Sequence, residues 1–161
     1  MSSSTPEIRP PVDHGEQLQG TDQARDRLLT LARGARSEIM GFRMDMTLSE
    51  DRTSWQLDSE MRKRGTPSRW VYVETLHNDP AATAYADRLL DNGVRIRTAP
   101  ALPVELIIID RAAALVLESS NGGTSALIHT TEGTVAALRA LYVSGGKLWD
   151  GFWAQSHRPA A

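Results

Sequence analysis

Apolar residues recur at helical spacing between residues 21 and 36, where Ala24, Leu28, Leu31, Ala32 and Ala35 fall on one side. Arg25, Arg27, Arg33 and Arg36 fall mostly on the other. That period predicts an amphipathic helix with Thr21 as its cap. The pattern then changes to a short strand in Glu38-Ile39-Met40-Gly41-Phe42-Arg43. A second helical stretch covers residues 49–64, carries Trp55, Met61 and the basic run Arg62-Lys63-Arg64, and stops at Gly65 and Pro67. Arg69-Trp70-Val71-Tyr72-Val73-Glu74 is rich in β-formers and predicts a strand. Asn78-Asp79-Pro80 opens a helix over residues 81–90, which Asn92-Gly93 closes. Val94-Arg95-Ile96-Arg97 alternates, so this strand buries one face.

Leu106-Ile107-Ile108-Ile109-Asp110 does not alternate. Four consecutive apolar residues, three of them β-branched, predict a central strand covered on both faces. Residues 113–117 form its hairpin partner, residues 119–123 a second turn, and residues 125–129 the last strand. Thr131 caps a helix that runs through Leu141. In the aromatic last element, Trp149, Phe152 and Trp153 stand at i, i+3 and i+4 of a helical turn, a candidate core or dimer contact. The order of elements predicts a single α/β domain, a mixed sheet flanked by helices. Residues 1–19, with Pro6, Pro10 and Pro11, read as a flexible or extended N-terminal arm with Val12 and Leu18 as anchor points. The domain proper then spans residues 20–155, and residues 156–161 form a tail.

Composition narrows the function. At 161 residues and 17.7 kDa there is room for one core. Lys and Arg number 18 against 20 Asp and Glu, a net charge of −2, which argues against direct nucleic-acid binding. The absence of cysteine excludes disulfides, thiolate metal sites and a cysteine nucleophile. No apolar run reaches the roughly 18 residues of a membrane span, and the first residues lack the features of a secretory signal. The expectation is a cytoplasmic protein that does not engage a membrane.

No phosphate-binding loop, dinucleotide fingerprint, zinc-protease motif or nucleophile elbow occurs. His14, His77, His129 and His157 lie on separate elements without metal-ligand spacing, so neither metal nor cofactor is expected. Ligands of α/β sheets collect at the carboxyl ends of strands. Those ends carry Arg43, Glu74 with His77 just beyond, Arg97, Asp110 and His129; with Glu105 these are the candidate ligand-binding residues.

The stretch from Asn92 to Phe152 adds a resemblance. It runs through Asn92-Gly93-Val94-Arg95-Ile96-Arg97, then Leu102-Pro103-Val104-Glu105-Leu106-Ile107-Ile108-Ile109-Asp110, then Ala113-Ala114-Leu115-Val116, then the helix from Thr131 and Leu148-Trp149. It resembles the phospholipase D-like sensor domain of TrmB-type regulators, including actinobacterial LuxR-type regulators. The helix from Thr21 and the strand through Phe42 match that domain's opening, so the likeness covers about residues 20–155. Active enzymes of this kind use H-x-K-x4-D, with His attacking phosphorus and Lys holding the phosphate. In the equivalent frame, Pro103 and Glu105 replace His and Lys, and only Asp110 remains. The resemblance therefore implies no phosphodiester chemistry, since proline cannot attack and a carboxylate repels phosphate. It also implies pairing into a homodimer and a regulatory role. No helix-turn-helix is expected in the few residues outside the match.

The leading reading is thus a non-catalytic domain that binds a small-molecule ligand or a regulatory protein. A second is a small enzyme using Glu74, Glu105, Asp110 or His129 as acid or base. A third is a nucleic-acid binder using Arg62-Lys63-Arg64.

Overall fold

The computed structural model describes residues 15–44, 52–120, 123–144 and 151–152. Its elements follow the order β1 (Glu16–Gln19), α1 (Thr21–Arg33), β2 (Ile39–Arg43), α2 (Arg52–Lys63), β3 (Ser68–Val73), a 3-10 turn (Glu74–Asn78), α3 (Pro80–Asp91), β4 (Ile96–Ala99), β5 (Glu105–Ile109), β6 (Ala113–Ser120), β7 (Gly123–His129), α4 (Glu132–Ser144) and β8 (Gly151–Phe152). The strands build one mixed sheet in the order β1-β7-β6-β5-β2-β3-β4-β8. Only the pairs β2–β3 and β3–β4 are parallel; each is joined through a helix, as parallel neighbours require.

The apolar run of β5 sits in the middle of this sheet. Leu106, Ile107 and Ile108 are fully buried, with β2 on one side and β6 on the other. Strand alternation then sorts the core into two layers. Ile39, Ile107, Ile109, Leu115 and Ile128 meet Ala24, Leu29 and Ala32 of α1 and Met61 of α2. Met40, Phe42, Leu106, Ile108 and Ala114 share the other layer with Val135, Leu138 and Tyr142 of α4. The rings of Phe42 and Tyr142 stack with centroids 5.3 Å apart.

Every helix and strand expected between residues 21 and 141 is present, and the differences lie at edges and ends. The last four residues of the expected arm, Glu16–Gln19, form β1 against β7. Leu18 is their single apolar side chain, so backbone pairing rather than alternation makes this strand. Thr21 does not cap α1: Gly20 takes the N-cap at φ 87°, and no side chain closes the helix start. Of the turn expected at 119–123, Ser119, Ser120 and Gly123 are paired strand residues, and residues 121–122 lie outside the described residues. The expected helical turn of Trp149, Phe152 and Trp153 is also corrected: Gly151–Phe152 is a short strand paired with Arg97 and Thr98 of β4. Trp149 and Trp153 lie outside the described residues.

Candidate functional site

The strand directions divide the residues expected to share one cleft. β5 and β7 run against β2, so their carboxyl ends lie at the opposite edge of the sheet from those of β2 and β3. Arg43 and Glu105 meet at one edge. Glu74 and His77 lie beyond β3 at that edge and are exposed. Asp110 and His129 lie at the other. Arg97, inside β4, is separate from both groups.

Asp110 does not face a cleft shared with Arg97 or Glu74; it ties two loops together. Its carboxylate accepts the backbone N–H groups of Arg36 (2.9 Å to Oδ2), Ser37 (2.7 Å to Oδ1) and Glu38 (3.1 Å to Oδ1). Burial alone would raise this carboxyl, but those N–H donors hold it below the ordinary value. Asp110 and Arg111 both adopt positive φ, 55° and 57°, in the tight turn from β5 towards β6. Non-glycine residues tolerate this only when the surroundings fix them, as the three N–H groups do here. Next to it, the buried Glu38 carboxylate accepts Arg111 Nε at 3.0 Å and Arg139 Nε at 3.1 Å. Burial opposes its charge, and the two guanidiniums more than compensate, so its pKa is lowered. This corner is a structural knot.

The other edge is closed in a different way. Arg43 and Glu105 form an ion pair at 3.5 Å with side chains 2% and 8% exposed. The Arg43 guanidinium also lies 5.8 Å from the centroid of the Trp70 ring. Trp70 can lie there because Gly41 has no side chain: a Cβ would fall 2.2 Å from the Leu106 carbonyl oxygen and 2.9 Å from the Trp70 ring. Behind this pair, the Tyr85 hydroxyl donates to Asp58. Burial raises the Asp58 carboxyl to about 6, against the opposing pull of Tyr85, Arg43 and Arg62. Burial likewise pushes the Tyr72 and Tyr85 hydroxyls up. The space between Arg43, Asp58, Trp70, Tyr72 and Tyr85 is only about 20 Å³, too small for an organic ligand.

A cleft of about 630 Å³ opens instead at the amino-terminal ends of β3 and β4, beside the carboxyl ends of α2, α3 and α4. Arg62, Arg69, Arg95 and Arg97 line it, together with Asp58, Trp70 and Tyr142. All four arginines are exposed. Burial pushes the Tyr142 hydroxyl up to about 12, so it stays protonated near neutrality. The basic run of α2 is split by this geometry: Arg62 faces the cleft, while Arg64 donates to the carbonyls of Arg33 and Ala32 and closes the end of α1.

Of the residues expected from strand ends, only Arg97 reaches the cleft. Asp58, Trp70, Arg69 and Arg95 were not singled out by the strand-end rule. Their signal was the recurrence of arginine around the starts of two adjacent strands, which becomes spatial only once β3 and β4 pair. Among the described residues, no group of three or more His, Asp or Glu is placed to hold a metal ion. No described helix is long and apolar enough to cross a membrane.

No family profile and no curated protein sequence matches the chain. Solved structures do. TrmBL2, an archaeal chromatin protein with a novel mode of DNA binding, superposes with a TM-score of 0.63 at 11% identity, over 88% of this chain and 55% of that one. This chain thus spans about half the length of TrmBL2. Nuc, a phospholipase D family member from Salmonella typhimurium, gives a TM-score of 0.63 at 16% identity, over 87% of this chain and 97% of its own. Phosphatidylserine synthase from Haemophilus influenzae gives 0.58 at 10% identity, with 85% of this chain covered and 39% of the enzyme. The mixed sheet, its flanking helices and these superpositions together give the chain a single α/β domain of phospholipase D-like fold.

Proposed function

We propose that this domain is a regulatory, ligand-binding form of the phospholipase D-like fold that performs no phosphodiester chemistry. The observation that carries the reading is the buried Arg43–Glu105 pair. In the frame that the resemblance supplies, Glu105 stands where an active enzyme has its phosphate-holding lysine, and Pro103 where it has its nucleophile. The carboxylate is buried and neutralised by Arg43, whose guanidinium lies over Trp70, so the position offers neither a nucleophile nor a free cation. The likeness to TrmBL2 supports a regulatory use, and the pairing that the resemblance implies makes the domain a homodimer.

The test is hydrolysis of bis(p-nitrophenyl) phosphate by the purified protein. The expected outcome is no turnover above background. Turnover that purifies with the protein and falls in Glu105→Gln overturns the reading. Light scattering checks the dimer, with an expected mass of twice 17.7 kDa.

A further inference from the structure

The two faces of the sheet are covered unequally. On one, α1 and α2 meet the layer of Ile39 and Ile107. Tyr85 and Leu89 of α3 stand beside Trp70 and Tyr72, which strand alternation puts on that same face. On the other, Val135, Leu138 and Tyr142 bring α4, the one α-helix there among the described residues. Eight strands about 4.8 Å apart span about 34 Å, and one helix about 10 Å in diameter covers roughly a third of that width. Val116 and Leu127, opposite each other in β6 and β7 on α4's side of the sheet, are only half-buried.

The outer side of α4 is unlike that of its neighbours. Gly133, Ala136, Ala137, Ala140, Leu141 and Val143 are exposed there, and Glu132, in the first turn, is the one charge among them. Arg139, the other charge of the helix, turns to the Glu38 carboxylate. By contrast α1 exposes Asp22, Asp26, Arg27 and Arg33, and α3 exposes Arg88 and Asp91. Of the three large apolar side chains exposed among the described residues, Leu141 at 38% and Val143 at 55% are both on α4. A helix that is apolar on both sides belongs between two partners.

Charge and size choose the second partner. A two-fold axis lays a patch on its own copy, so any net charge meets itself and repels. The outer side of α4 carries almost none. Its small side chains at 136, 137 and 140 let two helix axes cross at about 8 Å. In an antiparallel crossing about Ala137 and Ala140, the two Glu132 carboxylates lie at opposite ends. A helix of 13 residues offers a strip of about 20 Å by 10 Å, well short of the roughly 800 Å² that each partner of a stable pair contributes. The contact therefore runs on to Val116 and Leu127.

We infer that the outer side of α4, continued by Val116 and Leu127, is where two copies of this chain pair about a two-fold axis. The inference deepens the homodimer reading above, on which it rests, by giving the pair its surface.

The experiment is light scattering of the whole chain, wild type against Ala140→Glu, Ala140→Lys and Ala84→Glu, the last at an exposed alanine of α3. Wild type and Ala84→Glu are expected at twice 17.7 kDa. Ala140→Glu and Ala140→Lys are each expected at the mass of one chain, because like charges set face to face weaken the pair about a hundredfold. An equimolar mixture of these two variants should pair again. Position 140 is exposed and both new residues are good helix formers, so the variants fold, and circular dichroism confirms it. A wild-type dimer that Ala140→Glu leaves intact overturns the inference and keeps the homodimer reading. Failure of the mixture to pair overturns the two-fold arrangement. A wild-type monomer removes both readings, and thermal unfolding then names the occupant. A loss in Ala140→Glu without one in Ala84→Glu means that other residues of this chain cover α4. No loss in either leaves the face to a different protein.

Discussion

The two edges of the sheet handle arginine in opposite ways. At the carboxyl end of β2, Arg43 is buried, paired with Glu105 and covered by Trp70, and the remaining space is about 20 Å³. At the amino ends of β3 and β4, four arginines stand exposed around about 630 Å³, with Asp58 as the one carboxylate among the described lining residues. The first arrangement is shut away from solvent and the second is open to it. A buried charge must bring its own partner or unfold the site, whereas exposed charges can await one from solution. The edge where ligands of α/β sheets ordinarily gather is therefore sealed here, and the open, charged space lies at the other.

The comparison breaks most sharply if the sealed pair is halved. Glu105→Ala leaves the Arg43 guanidinium buried without its carboxylate and should destabilise the fold by about 3–5 kcal/mol. Replacing both, Arg43→Met with Glu105→Leu, should recover most of that loss in urea denaturation. A double variant as unstable as the single one would mean that the pair contributes more than mutual neutralisation.

Asp110→Ala should come next, at about 2–3 kcal/mol, because three N–H groups lose their acceptor and alanine must hold φ 55°. That is comparable to Ile108→Ala in the central strand, at about 2–5 kcal/mol. The sign with pH follows from the lowered pKa. The stabilisation from Asp110 is full above the ordinary value of 3.8 and is lost as pH falls through the depressed folded value. Acid titration of stability should thus be shallower in Asp110→Ala. A loss in Asp110→Ala far smaller than in Ile108→Ala would return Asp110 to the list of ligand contacts.

The smallest effect belongs to Asp58, which touches both regions. Its folded pKa of about 6 exceeds the ordinary 3.8, so the unfolded chain loses the proton first as pH rises. Stability should fall between about pH 4 and pH 6, and Asp58→Asn should remove that slope, gaining about 1–2 kcal/mol near neutrality. Asparagine still accepts the Tyr85 hydroxyl. An unchanged slope would show that another group titrates there.

The sequence made the central elements legible and hid the edges. β5 could be read because a run without alternation has one explanation, burial on both faces, and Leu106 to Ile109 bear it out. β1 and β8 could not, since Glu16–Gln19 has one apolar side chain and Gly151–Phe152 has two residues, and both owe their shape to a neighbouring strand. The same limit applied to the site. The strand-end rule found Arg43, Glu105 and Asp110 but assumed a common edge, which the reversed β5 does not supply. Asp58 and Tyr85 lie 27 positions apart with nothing in either segment to announce the bond between them. Arg69 and Arg95 were in plain view as β-strand charges, and only the pairing of β3 with β4 gathers them.

The knot at Asp110 sets a timetable for biosynthesis. The N–H groups of Arg36, Ser37 and Glu38 precede the carboxylate that receives them by 72 to 74 positions. At ribosomal rates of about 5–20 residues per second, that is a wait of about 4–15 s. β2 must also wait for its antiparallel neighbour, which ends at Ile109. The helix–strand joint at 34–38 is therefore incomplete on the nascent chain until the middle of the sheet has emerged. The first hundred residues do not amount to an independent folding intermediate with a finished core. A ribosome stalled before Asp110 would display the apolar rows of β2 and β3 uncovered on one side, a surface for chaperones to hold until the remaining strands arrive.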